Sequence, residues 1–356
     1  MSEPQVRVVE RLQALAGRAL LRLPPRVQFR LSGRPPVVVD GQTLDPQLQL
    51  LLAIRRRRNT FGLCEPTPEA ARARFRREML VFRGPQTQVG EVRDFEIEGA
   101  AGPLRVRSYA PPKPDAQRPA LLVYLHGGGF VIGDLETHDE ACRLLCLHAA
   151  SHVVAVDYRL APEHPFPAAL EDTLAALRWA QTHAASLGVG PNRVALGGDS
   201  AGANLSAVAA MLAARAGRAP AAQLLVYPPT DALTVRASHE LFDDGFFLSL
   251  ADRDAFSRHY TDGTGFGGDD PRVSPLRAPS LAGLPPALVV TAGFDILRDE
   301  GEAYADALRA AGNVVRTLRF PALAHGFVNM TGVAPAARVA LMQIARDWRT
   351  LLDDGR

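Results

Sequence analysis

Lysine is almost missing from this 356-residue chain: Lys113, in a proline-rich stretch, is the only one, and arginine supplies the rest of its 40 basic side chains. That scarcity excludes a P-loop, whose lysine must reach nucleotide phosphates, and a Schiff-base lysine anywhere but position 113. Cysteine is scarce too. Cys64, Cys142 and Cys146 are odd in number and too few for a secreted disulfide scaffold, which fits a reducing compartment. No run approaches the ~18 uninterrupted apolar residues of a membrane span. Arg7, Arg11, Arg18 and Arg22 interrupt the N-terminal apolar residues at about every turn, so no secretory core is spelled. The expectation is a cytoplasmic protein with no stable membrane insertion. A surplus of one charge sign is also absent: 40 basic against 38 acidic side chains leave +2, too little field to gather phosphate backbones, and nucleic acid is not an expected ligand. What the chain does have is apolar material, 47% of residues, enough for a sizeable core.

From about Glu91 the chain alternates short β-rich runs with longer helical patterns. The runs are Val92 to Ile97, Leu104 to Tyr109, Leu121 to Leu125, Val153 to Asp157, Val194 to Leu196, Leu224 to Tyr227, Leu288 to Thr291 and Val314 to Phe320. Helical spacing recurs near 136–149, 168–185, 201–215, 299–311 and 336–352. Such alternation predicts an α/β fold: an eight-stranded, mostly parallel sheet with helices on both faces. The first two runs, separated by Gly102-Pro103, predict an antiparallel start. Residues 1–90 stand outside the alternation, with amphipathic stretches (Val8, Val9, Leu12, Leu15; Leu48, Leu51, Leu52) that Pro24-Pro25 and Pro35-Pro36 break. So does 229–283, aromatic at Phe242, Phe246, Phe247, Phe256 and Tyr260; an insertion this long in a compact domain points to function. The expected division is 1–90 as N-terminal extension and cap segment, 91–228 with 284–356 as the core, and 229–283 as a second, inserted cap segment.

Gly198-Asp199-Ser200-Ala201-Gly202 follows a strand run and opens a helical one. A serine at so tight a turn takes a strained backbone, flanking residues without bulk let the chains approach, and the helix N-terminus behind it favours developing negative charge. His126-Gly127-Gly128-Gly129-Phe130 follows the strand Leu121 to Leu125. Three consecutive glycines leave N–H groups uncovered, fit to hold an oxyanion; a phosphate nest competes, but its sequence patterns are not spelled. A serine hydroxyl needs a base within reach and a carboxylate to fix that base's tautomer. His325 follows the last strand run, whereas His239 and His259 lie in the insertion. Asp295 follows the strand Leu288 to Thr291; its rivals Asp299 and Glu300 open the next helix and read as partners of its dipole.

These motifs, with Tyr158-Arg159-Leu160-Ala161-Pro162-Glu163 through Phe166-Pro167, Leu297 to Gly301 and His325-Gly326-Phe327, resemble the hormone-sensitive lipase family of α/β-hydrolases, the bacterial family IV carboxylesterases. The likeness is strong over 90–356, residues 41–60 resemble the usual family start, and 1–40 look like an extension carried by some members. It implies an α/β-hydrolase fold with a helical cap and a serine carboxylesterase with Ser200, Asp295 and His325 catalytic. Oxyanion donors would be the backbones of Gly128, Gly129 and Ala201, with His126, Gly127 and Asp199 supporting them. Ala203 replaces a glycine and Ile296 a proline common in the family, neither with consequence for the chemistry.

The expected substrate is a small ester with an acyl chain of roughly two to eight carbons, enclosed by the two cap segments. No cofactor and no metal are expected. Cys142, Cys146, His148 and His152 share a helical stretch with apolar neighbours and read as core residues rather than ligands. Arg55-Arg56-Arg57-Arg58 reads as a solvated helix end complementing its dipole, and Glu163 and Asp172 as holding the proline-rich turn. The sequence admits a homodimer. Rival readings keep the triad but act on amides, lactones or a membrane surface, or keep only the fold as a receptor.

Overall fold

The computed structural model describes residues 20–354 except Arg22, Asn59, Phe61, Pro114, Ala116, Asp244 and Gly245. The amphipathic stretch at Val8 to Leu15 lies outside them. Eight strands form one sheet: β3 (Glu91–Gly99), β4 (Gly102–Ala110), β5 (Leu121–Leu125), β6 (His152–Val156), β7 (Val194–Asp199), β8 (Gln223–Val226), β9 (Ala287–Phe294) and β10 (Val315–Ala324). Their order is β10-β9-β8-β7-β5-β6-β4-β3, parallel from β10 to β6, with β4 antiparallel to both β6 and β3. The antiparallel start is as expected, but its turn is Ala100-Ala101. Gly102 pairs with Gly99 and already belongs to β4, at a φ of +116° that L side chains rarely adopt.

The central strands are apolar without alternation because both faces are covered. Leu122 and Tyr124 of β5 join the core beneath α4 (Asp139–Ala149) and α10 (Pro335–Asp354). Leu121, Val123 and Leu125 join the opposite core, with α5 (Ala168–His183) and α6 (Ala201–Arg215). Tyr304 and Leu308 of α9 (Arg298–Ala310) pack against α6 residues Ala203, Ala207 and Met211.

Several prolines in 1–90 are helix starts, Pro25 of the expected breaks among them, whereas Pro35-Pro36 do end the first helical stretch. Pro25, Pro46 and Pro68 occupy the first turns of α1 (Pro25–Ser32), α2 (Pro46–Arg57) and α3 (Pro68–Phe82). There a missing N–H costs nothing and a fixed φ suits the helix. Asp45 caps α2 by accepting from the Gln47 and Leu48 N–H groups at 2.9 and 3.1 Å, and Thr67 caps α3. Between α1 and α2 lies a short hairpin, β1 (Val38–Val39) with β2 (Gln42–Thr43). The 229–283 insertion supplies α7 (Ala237–Phe242) and α8 (Leu250–Thr261). Asp252, in the capping box of α8, accepts from the Leu63 and Cys64 N–H groups at 2.8 and 3.1 Å, joining the insertion to the N-terminal segment. Phe247 meets that segment through the Arg55 guanidinium. Phe242 and Phe246 instead pack on Phe294 of β9.

Candidate active site

Ser200 sits between β7 and α6 at φ 51° and ψ −123°, a conformation held by its surroundings. Its N–H donates to the Val226 carbonyl at 2.8 Å. Both flanking glycines are sterically required: a Cβ on Gly198 would lie 2.2 Å from the Leu125 carbonyl oxygen, and one on Gly202 1.9 Å from the same atom. Neighbouring backbone therefore squeezes the turn, and the hydroxyl projects beyond the strand ends.

His325, after β10, and Asp295, after β9, converge on that hydroxyl. His325 Nε2 is 3.0 Å from Ser200 Oγ, and His325 Nδ1 is 2.8 Å from Asp295 Oδ2. The other Asp295 oxygen accepts from the Leu297 N–H at 2.9 Å, which fixes the carboxylate plane. All three residues are buried to within 8% exposure, so their contacts act in a weakly screening environment. Asp299 and Glu300 are not in this chain of contacts. Both do lie in the first turn of α9, where Asp299 accepts from Arg298 Nε at 2.8 Å, and their other contacts are to the insertion. Asp299 accepts from the Ser238 N–H at 2.8 Å. Glu300 is buried, accepts from the Thr230 N–H at 2.8 Å, lies 3.8 Å from His239 Nε2, and burial raises its carboxyl pKa. His259 is on the surface.

The glycine loop is fastened to the serine turn through Asp199. Its Oδ1 accepts from the Gly127 N–H at 3.0 Å and the Tyr124 hydroxyl at 2.8 Å, and its Oδ2 from the Tyr227 hydroxyl at 3.2 Å. His138 Nε2 lies 3.3 Å away. Burial works against the charge, yet His138, Tyr124 and the Gly127 N–H hold this carboxyl below its ordinary range. With the Gly127 N–H engaged, those of Gly128, Gly129 and Ala201 have no protein acceptor among the described residues, and all three residues border the cavity beside Ser200. Gly128 and Gly129 have φ values of +127° and +59°. His126 steadies the loop by stacking on Tyr158 at 4.3 Å, while its carbonyl accepts from the Tyr158 hydroxyl at 2.8 Å; burial, then His138, depresses its pKa.

Four residues escape sequence reasoning. Tyr227, at φ 39°, donates to Asp199 and packs its ring 4.5 Å from that of His325, linking the serine turn to His325. His138 and Asn329, joined at 3.0 Å, close the network beneath the glycine loop. Arg72 of α3 reaches the loop from outside. Its Nε donates to the Val131 carbonyl at 2.7 Å and its Nη2 to the Ala161 carbonyl at 2.8 Å. It also grips Glu163 with both terminal nitrogens, bringing that carboxyl down to about 2. Glu163 thus serves the proline-rich turn through Arg72, while Asp172 holds it directly from the Arg159 N–H and Nε at 3.0 and 2.9 Å. No spacing in 68–82 signals such a role, because it depends on where α3 docks.

A cavity of about 160 Å³ opens at Ser200, with Phe75, Met79 and Phe82 of α3 and Phe247, Leu248 and Phe256 of the insertion among its walls. A Cβ on Gly129 would lie 2.3 Å from the Phe256 ring, so the insertion rests directly on the glycine loop. Cys142 and Cys146 are buried thiols, that of Cys146 pushed up to about 12 by burial. Among the described residues no cluster of three or more His, Cys, Asp or Glu could hold a metal, and no helix is long and apolar enough to cross a membrane.

Residues 122–329 match the family model described as the alpha/beta hydrolase fold. Carboxylic ester hydrolase LipN of Mycobacterium tuberculosis is 47% identical over 86% of this chain and 83% of its own length. Ethyl acetate hydrolase of Pseudomonas putida is 35% identical over 83% of this chain and 94% of its own. The solved hyperthermophilic esterase of the archaeon Pyrobaculum calidifontis superposes with a TM-score of 0.81 at 36% identity, covering 86% of this chain and 98% of that one. With this geometry and these relatives, the chain belongs to the α/β-hydrolase family, in its hormone-sensitive-lipase-like group of carboxylic ester hydrolases.

Proposed function

We propose that this protein hydrolyses carboxylic esters with short to medium acyl chains through a covalent acyl-enzyme on Ser200. The observation that carries the proposal is the chain of contacts from Asp295 Oδ2 through His325 to Ser200 Oγ, at 2.8 and 3.0 Å, beside three N–H groups without acceptors among the described residues. His325 Nε2 takes the Ser200 proton as Oγ attacks the ester carbonyl carbon. The carbonyl oxygen, now negative, is stabilised by the N–H groups of Gly128, Gly129 and Ala201 and by the positive end of α6. Asp295 keeps His325 in the tautomer with Nδ1 protonated and stabilises its charged form. The tetrahedral species collapses as His325 protonates the leaving alkoxide. Water, deprotonated by the same histidine, then attacks the acyl carbon and releases the acid and free Ser200. Each step uses side chains and backbone N–H groups of this chain, with water.

The two non-core segments act as a cap in this reading. Aromatic and aliphatic groups from α3 and the insertion surround the space next to Ser200, which excludes water and favours compact acyl groups. The relative named for ethyl acetate points the same way. A membrane-surface variant of the reading would leave this chemistry unchanged. The test is turnover of 4-nitrophenyl butyrate by the protein and by Ser200→Ala: loss on the order of 10³ or more, with the fold retained, is expected. Near-normal turnover by the variant would refute the proposal.

A further inference from the structure

Helix α1 is turned inside out. Its inward residues are polar: Gln28 is fully buried, donating to the Leu21 carbonyl at 2.7 Å, and the buried Ser32 hydroxyl accepts from Gln49 Nε2 at 2.9 Å. Its outward residues are apolar and basic. Val27 and Leu31, one turn apart, are each 39% exposed, between the exposed Arg26 and Arg30. Leu20, before the helix, and Val38, in β1, are also exposed, and Arg34 follows the helix. The last turn of α2 abuts the same face, because Arg57 donates to the Leu31 carbonyl at 3.1 Å and Arg58 is exposed beside it. A helix that hides glutamine and serine while presenting valine and leucine among arginines has its apolar face toward something other than its own core.

Charge indicates what that is. Residues 1–58 hold eleven of the chain's 40 basic side chains and four of its 38 acids, so a protein of net charge +2 carries its whole positive surplus at this end and more acids than bases over the rest. Among the described residues of this end both acids are engaged elsewhere, Asp45 as the buried cap of α2 and Asp40 in an ion pair with Arg298 at 2.9 Å. A polyanion alone would match the arginines but leave Val27 and Leu31 without an apolar partner. An anionic bilayer offers both, since its headgroups attract arginine and its interface accepts aliphatic side chains to a depth of about 5–10 Å. The same α2 turn runs to the cavity, whose wall includes Arg55.

We propose that the outward face of α1, with Arg58 at the end of α2, docks reversibly on anionic lipid membranes and brings the cavity mouth to the surface where apolar esters concentrate. The docking rests on this face alone, so it stands or falls apart from the chemistry at Ser200. The test is sedimentation of the full chain with phosphatidylcholine vesicles and with vesicles that also contain phosphatidylglycerol, at low and at ~0.5 M salt, where charge attraction is screened within a few ångströms. Binding is expected only to the anionic vesicles at low salt. Arg26→Gln with Arg30→Gln should weaken it about thirty-fold, and Val27→Ser with Leu31→Ser about tenfold. Turnover of a water-soluble ester reports that each variant remains folded. Equal sedimentation with both vesicle types, or variants that bind like the parent, would overturn the proposal. So would a concentration-dependent dimer, formed without vesicles and abolished by Val27→Ser with Leu31→Ser, because a second copy would then be the occupant.

Discussion

Replacing Asp199 by asparagine tests whether the glycine loop is held in place from the serine turn. The carboxylate is 2% exposed and receives three donors, the Gly127 N–H, the Tyr124 hydroxyl and the Tyr227 hydroxyl, with His138 a further 3.3 Å contact. Asparagine keeps one acceptor oxygen in the same volume but loses the charge, and its amide presents hydrogens toward one of the former donors. Hydrogen bonds to a charged group contribute about 1.5–3 kcal/mol each, and part of that set survives, so the net loss should be about 3 kcal/mol. With an unfolding entropy of about 2.1 cal/mol/K per residue over 356 residues, this lowers Tm by about 4 °C. The kinetic effect should fall on kcat. One oxyanion donor contributes on the order of 10²–10³ in rate, and a loop partly released from Asp199 should lose about ten- to a hundredfold with KM little altered. The pH dependence gives a sign to check. The folded pKa of Asp199 is depressed, so its charge stabilises the fold above the unfolded value of about 3.9, and that contribution disappears as pH falls through the folded value. The Tm gap between parent and variant should therefore be constant from about pH 5 to 8 and narrow only below about pH 4. Steady-state kinetics with 4-nitrophenyl butyrate and a thermal melt at several pH values read all three. A variant with unchanged Tm and kcat within about twofold of the parent would refute the idea that Asp199 fastens the loop.

Three further outcomes follow from the same contacts. Asp295→Asn should lower kcat by up to about 10⁴ by stabilising the wrong His325 tautomer, whereas Asp299→Asn should leave kcat nearly intact; the reverse ranking would reassign the acid. Arg72→Met should lower kcat about tenfold with little change in KM, and Arg72→Lys should fall between, because only the guanidinium reaches Val131, Ala161 and Glu163 together; equal kinetics for all three proteins would deny Arg72 a positioning role. Across 4-nitrophenyl esters the optimum should fall within roughly two to eight acyl carbons, and deleting residues 1–40 should weaken short-ester turnover more than it lowers Tm; a long-chain optimum or unaltered kinetics would mean that these segments do not close the site.

Most of the sheet is legible in the sequence because parallel strands covered on both faces must be continuous apolar runs, and Leu121 to Leu125 or Leu288 to Thr291 can be little else. The candidate triad is legible for a different reason. Its residues each follow a strand, so the chain order alone brings Ser200, Asp295 and His325 to one edge. Arg72, Tyr227, His138 and Asn329 have no such signature, since their roles arise only when helix docking and loop return bring distant atoms within 3 or 4 Å. Asp199 stands in the motif, but its four contacts come from β5, the glycine loop, the end of β8 and the turn before α4. The N-terminal helices are hidden by their prolines, which look like breaks yet sit in first turns, and the orientation of α1 runs against its own hydrophobic pattern.

The central claim, a covalent intermediate on Ser200, is tested most directly by mass spectrometry after treatment with diethyl 4-nitrophenyl phosphate. That reagent phosphorylates an activated serine and expels nitrophenolate, leaving an adduct that does not turn over as an acyl group does. A single diethylphosphoryl adduct on the peptide that contains Ser200, formed in step with loss of esterase activity and absent from Ser200→Ala, is the predicted result. Full activity in the treated protein, or an adduct elsewhere that tracks the lost activity, would contradict the account.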